Sequence, residues 1–179
     1  MQVENNILKQ HPMTIEFNGK KYLKLQSEGF AAQYAFPFAD KILSGEGYDV
    51  GCNRKEWAYP KAIPIDPLIT PEYHAMNLPP LQVDYIFSSH CAEHIVGRFQ
   101  DAIEYWLTKI KDGGIIFLYL PNCDYQKYWA WGNKKHIHYL SPSIMRDYLE
   151  HLEKVITLKE WFVTDGYDLN GSFYVVIKK

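Results

Sequence analysis

At 179 residues, with apolar residues at 47% and charged residues at 22%, the chain has the size and composition of one globular domain with a sizeable core. A formal net charge of −2 excludes a general polycation for nucleic acid or anionic membrane, and no apolar run approaches the roughly 20 residues that span a bilayer. Cys52, Cys91 and Cys123 are odd in number and form no CxxC pair, and the start MQVENNILKQ lacks a basic stretch and an apolar run, so reduced thiols, no signal peptide and a cytoplasmic location are expected.

Residues 1–28 form an N-terminal extension in which MTIEF and KKYLKL alternate around Asn18-Gly19, the signature of a β-hairpin. Phe30 to Leu43 is expected as a helix despite Pro37, ended by Gly45 and Gly47. A first buried strand follows around Tyr48–Gly51, a second at Ala62–Asp66, and a short third element near Tyr73–Met76. VDYIFS, Val83–Ser88, is a continuous apolar strand. From Arg98 to Ile110 the residues Phe99, Ala102, Ile103, Trp106 and Ile110 recur at helical spacing, and Lys111-Asp112-Gly113-Gly114 stops the helix. Ile115–Leu120 is another buried strand. Ser141-Pro142 starts a helix to about His151, with a hydroxyl cap and proline in the first turn. Val155–Val163 and Phe173–Lys178 close the chain as strands joined by TDGYDLNG. Short apolar strands alternating with helices predict one α/β domain over residues 1–179, its core at 45–179, with a mostly parallel sheet covered on both faces.

GYDVGCN, Gly47–Asn53, is a strand running into a tight turn, and AIPID ends the next strand in a carboxylate. That arrangement suits a nucleoside cofactor: the turn lets backbone approach the ligand and the acid takes ribose hydroxyls. The ordered set GYDVGCN, AIPID, AMNLPP, VDYIFSSHCAEHI and LTKIKDGGIIFLYLP resembles the class I S-adenosylmethionine-dependent methyltransferases, in particular their compact type 11 branch. The resemblance implies a Rossmann-like, seven-stranded sheet with an antiparallel C-terminal hairpin, and S-adenosylmethionine as cofactor. It implies Asp49, Gly51 and Cys52 at the methionine end, Asp66 on the ribose, Ala75, Met76 and Asn77 flanking adenine, and Ser88, Ser89 and His90 as the floor. In two places the chain departs from the family. Asn53 stands where a second glycine is usual, tolerable because asparagine accepts positive φ. Only 17 positions separate Asp49 from Asp66, too few for a full helix, so Trp57 and Tyr59 are expected to cap the cofactor pocket instead.

SSHCAEHI sets His90, Glu93 and His94 at i, i+3 and i+4 after the fourth strand of the core, on one face if a helical turn begins there. Three readings stay open for this group. A histidine, His90 first, can act as general base for methyl transfer to a hydroxyl; a divalent metal can sit on the histidine and carboxylate ligands, as in some hydroxyl methyltransferases of the superfamily; or Glu93 and His94 only tie the turn. No metal is assigned. The segment Tyr125–Leu140 carries Trp129 and Trp131 beside Lys135, His136 and His138, aromatic faces and donors suited to stacking on a sugar or base. In sugar-modifying relatives a similar region lies over the acceptor. The expected function is therefore O-methylation of a small-molecule or glycan hydroxyl, with no membrane partner and the oligomeric state open. The alternatives are a nucleic-acid methyltransferase, disfavoured by the charge, and a non-catalytic binding module.

Overall fold

The computed structural model describes residues 14–17, 19–23, 29–126, 135–168 and 170–179. Strands β1 (Thr14–Phe17) and β2 (Lys20–Leu23) pair antiparallel as the expected hairpin, with Gly19 at φ +71° in its turn. The main sheet comprises β3 (Gly47–Val50), β4 (Ala62–Ile65), β5 (Val83–Ser89), β6 (Ile110–Pro121), β7 (Glu160–Val163) and β8 (Ser172–Lys178), in the order β4-β3-β5-β6-β8-β7. Its first four strands run parallel, and β8 is antiparallel to both β6 and β7. Mostly parallel sheet and antiparallel terminal hairpin are both present as expected.

The expected seventh strand is not: among the described residues the main sheet has six. The Tyr73–Met76 segment forms instead a tight turn closed by a single bridge between His74 and Asn77. Pro71, Pro79 and Pro80 bracket it, and residues without an N–H cannot supply a ladder. The sheet therefore ends at β4. Ile65 turns its carbonyl toward the turn after β3, where it accepts from the Gly51 N–H at 2.8 Å. Because successive residues of a strand face opposite edges, Pro64 presents the outer edge.

Alternation along the strands feeds two different cores. Val50, Ile86, Ile116, Leu118, Val175 and Ile177 pack under α2 (Phe99–Lys109) and α3 (Pro142–Leu152), against Ile103, Trp106, Met145 and Leu149. Tyr85, Phe87, Phe117, Tyr119 and Tyr174 line the other face, under a 3-10 turn (Ala31–Tyr34) and α1 (Phe36–Ile42). The expected helix 30–43 is thus split, because Pro37 is tolerated only in the first turn of α1. Small residues on that side, Ala31, Ala32, Ala35 and Ala39, bring backbone close to the rings. The aromatics fill the thin layer by stacking: Phe87 lies between Tyr59 (5.1 Å, 22°) and Phe117 (5.4 Å, 13°). Helix α3 is capped as its sequence predicts, the Ser141 hydroxyl accepting from the Ile144 N–H.

Candidate active site at the carboxyl ends of the central strands

The chain leaves β3 for β4 on one side and returns to β5 on the other, so the strand order reverses beside β3. Ligands of open α/β sheets collect at such a point, outside the carboxyl ends of the strands. A cleft of about 660 Å³ lies there, lined by Asp49, Gly51, Cys52, Asn53, Trp57, Asp66, Ser89, His90, Cys91, His94, Lys135 and His136, with Gly29–Ala32 on its N-terminal side.

The turn after β3 is built for close backbone approach. Gly51 has φ +84°, and a Cβ there would meet the Cys91 Sγ at 2.3 Å, so the turn packs directly on the loop after β5. Asn53 adopts φ +66°, the conformation expected of it, and its N–H donates to the Asp66 carboxylate at 2.9 Å. The other Asp66 oxygen accepts from the Leu68 N–H at 3.0 Å. Each oxygen keeps acceptor capacity toward the cleft. The Asp49 carboxylate is buried and accepts from the Tyr59 N–H at 2.6 Å; burial pushes its pKa up to about 7 against that hydrogen bond. Between β3 and β4 only a 3-10 turn, Lys55–Trp57, forms, as the short spacing requires. Trp57 stacks on Phe30 at 5.7 Å and 10°, with the Arg54 guanidinium 4.7 Å from its ring.

The loop after β5 gathers four titratable groups. Glu93 is fully buried, and among the described residues neither of its carboxylate oxygens accepts a hydrogen bond. Its Oε1 lies 3.7 Å from His90 Nδ1, 3.8 Å from His94 Nε2 and 3.8 Å from His136 Nε2. These are ion-pair distances, yet burial pulls the pKa of His90 down to about 3, lowers that of His94, and brings that of His136 to about 4. The rings are neutral, and burial pushes Glu93 up to about 8. The backbone assembles the group: the N–H groups of Ile137 and His138 both donate to the Glu93 carbonyl, at 2.9 and 3.1 Å, which swings His136 onto the carboxylate. His90 has φ +50°, a strained state for a ring-bearing residue, and its Nε2 meets the Ser172 hydroxyl at 3.0 Å.

Other expected residues lie elsewhere. Ala75, Met76 and Asn77 are outside the cleft lining: the Ala75 carbonyl accepts from Trp106, and Met76 and Asn77 are exposed in the turn that replaces the third strand. Ser88 is buried and donates to the Val50 carbonyl at 2.8 Å, tying β5 to β3. His138 also lies outside the lining, its Nε2 on the Ile95 carbonyl at 2.8 Å and its ring against Phe99. Trp129 and Trp131 lie outside the described residues. The sequence reading missed Gly29–Ala32 and Cys91, which line the cleft. The Gly-Phe-Ala-Ala run was the available signal, since paired small residues permit close approach of backbone.

No protein-family model matches the sequence, and no curated protein matches it. Solved structures do. The chain is similar to an S-adenosylmethionine-dependent methyltransferase from Thermotoga maritima, a possible histamine N-methyltransferase, at 15% identity and TM-score 0.62 over 87% of this chain and 92% of that one. It is similar to the plantazolicin methyltransferase BpumL in complex with S-adenosylhomocysteine, at 12% identity and TM-score 0.59 over 87% and 86% of the two chains. It is similar also to the small RNA methyltransferase HEN1, at 11% identity and TM-score 0.66, over 92% of this chain and 27% of that one. The fold is that of the class I S-adenosylmethionine-dependent methyltransferases. No helix among the described residues is long and apolar enough to cross a membrane.

Proposed function

We propose that this chain is an S-adenosylmethionine-dependent methyltransferase acting on a hydroxyl of a polar acceptor such as a sugar or glycan. The observation that carries the reading is that Asp66, His90 and His94 of the loop after β5, and His136 of the segment after β6 open on one cleft at the strand-order reversal. In this reading the cofactor lies along Gly51–Asn53, its ribose hydroxyls on Asp66 and its methionine end beside Asp49 and Cys52, with Trp57 and Ser89 completing its pocket. The acceptor oxygen attacks the methyl carbon in line with the breaking sulfur–carbon bond, the sulfonium becomes the neutral thioether of S-adenosylhomocysteine, and the acceptor proton leaves toward an imidazole lone pair of the cleft, His90 or His94, with Glu93 behind the rings as their partner. That proton argues for oxygen: a neutral amine attacks through a free lone pair, whereas a hydroxyl needs a neighbour that takes or offsets its proton. Lys135 and His136, with Trp129 and Trp131 of the same segment, are the proposed acceptor contacts; His138 is held away from the cleft by Ile95 and Phe99.

The test is formation of S-adenosylhomocysteine by the purified chain with sugars, nucleotide sugars, amines and RNA as acceptors, checked by mass spectrometry of the product. Methylated sugar supports the reading. Turnover confined to RNA, falling steeply with salt, replaces it with the nucleic-acid reading. Cofactor binding with no turnover on any acceptor leaves the fold as a binding module.

A further inference from the structure

We infer that Glu93, His94 and His136 form a binding site for a divalent first-row transition-metal ion at the acceptor end of the cleft. One oxygen of Glu93 and one nitrogen of each histidine lie within 4.8 Å of one another. The two oxygen–nitrogen edges measure 3.8 Å. A tetrahedral ion with bonds of roughly 2.1 Å has ligand–ligand edges of about 3.4 Å, so each oxygen–nitrogen edge need shorten by only about 0.4 Å around an ion, and the edge between the two histidine nitrogens, at most 4.8 Å, closes by ring rotation. Hydrogen bonding fixes the chemistry of one ligand. His94 Nδ1 lies 2.9 Å from the Lys135 carbonyl oxygen, which can only accept, so the ring proton is on Nδ1 and Nε2 presents a lone pair. That lone pair faces a carboxylate oxygen which, among the described residues, accepts no hydrogen bond. The carboxyl and the imidazole lone pair thus face one buried point, and an ion bound there takes the place of the carboxyl proton. A ligating imidazole whose second nitrogen donates to a backbone carbonyl is also the usual support of a bound metal. Glu93 is sealed behind the two rings, while His94 and His136 reach the cleft, so an ion can enter from the acceptor side and keep an open coordination position there.

Two imidazoles and one carboxylate suit zinc, cobalt, manganese or iron better than magnesium, whose preferred ligands are oxygen. The role of the ion rests on the methyl-transfer reading: when bound it supplies Lewis acidity to the acceptor oxygen. Its binding does not rest on that reading. The experiment is titration of the chelator-treated full chain with Co²⁺, followed by visible ligand-field absorption and calorimetry, with Zn²⁺ and Mg²⁺ as competitors and S-adenosylhomocysteine binding measured on the same sample. The expected result is one Co²⁺ per chain, displaced by Zn²⁺ and not by Mg²⁺, with affinity reduced at least about 10–100-fold in both His94→Ala and His136→Ala. Circular dichroism checks that each variant is folded; Glu93→Gln, buried and more disruptive, is a further variant rather than the deciding one. Absence of saturable Co²⁺ binding by the folded wild type overturns the site, as does binding unchanged in both histidine variants. S-adenosylhomocysteine bound without Co²⁺ would overturn this inference alone; Co²⁺ bound without S-adenosylhomocysteine would overturn the methyltransferase reading alone.

Discussion

Replacing Asp66 by asparagine separates a structural role from a cofactor role in one residue. The carboxylate already accepts the N–H groups of Asn53 and Leu68, one on each oxygen. An amide has a single acceptor oxygen, so in Asp66→Asn its NH₂ must face one of those two N–H donors. A donor set against a donor costs about 1–3 kcal/mol of stability. The side chain also loses its charge and one of the acceptors offered to the ribose. A hydrogen bond to a charged group contributes about 1.5–3 kcal/mol, so the dissociation constant for S-adenosylhomocysteine should rise roughly 10- to 150-fold. Calorimetric titration reads the second effect, and urea denaturation without ligand reads the first. Reduced stability with unchanged affinity refutes the ribose assignment while leaving the turn intact. Affinity and stability both unchanged refute the geometry of the turn itself.

Four further outcomes follow from the same contacts. Gly51→Ala places a Cβ at positive φ and against the Cys91 sulfur, so it should cost at least about 1–3 kcal/mol in urea denaturation and weaken the cofactor. Phe87→Ala empties the space between two stacked rings and should cost about 3–5 kcal/mol, a fall of roughly 6–20 °C in Tm by scanning calorimetry. The buried Asp49 carboxyl titrates near 7 when folded and near 3.8 when unfolded, so the folded state holds the proton more tightly. Its stabilising effect is complete below about pH 4 and is lost as pH rises to about 7, of order 4 kcal/mol in all. Asp49→Asn should flatten that slope of stability against pH relative to wild type, and an unchanged slope would overturn the assignment. Ser141→Ala removes the cap of α3, whose bond is long at 3.4 Å, and should cost no more than about 1 kcal/mol in urea denaturation.

Strands β5, β6 and β8 are legible because burial on both faces writes them as unbroken apolar runs, and the turn at Gly51–Asn53 is legible because its backbone needs particular residues. The Tyr73–Met76 element misleads: its composition admits a strand, and only the flanking prolines show that it has no ladder to join. The Glu93 cluster is half legible. His90, Glu93 and His94 are neighbours in sequence, but His136 arrives through two hydrogen bonds to the Glu93 carbonyl, and Lys135, 41 positions beyond His94, orients the His94 ring by its carbonyl alone. Backbone partners of this kind carry no residue signature, so the sequence assigns His136 to the acceptor and not to the carboxylate.

The missing strand has a consequence for how the molecule meets its own copies. Among the described residues the sheet stops at β4 beside its ligand cleft, at a border of the kind to which another chain adds, and Ile63 is more than half exposed there. Pro64 stands in the middle of that border with its nitrogen outward and no hydrogen to give. An approaching strand finds a gap in the ladder and a ring in its path. Pro64→Val would restore the donor and add a β-branched side chain, turning a self-limiting sheet into a template for stacking one molecule on the next.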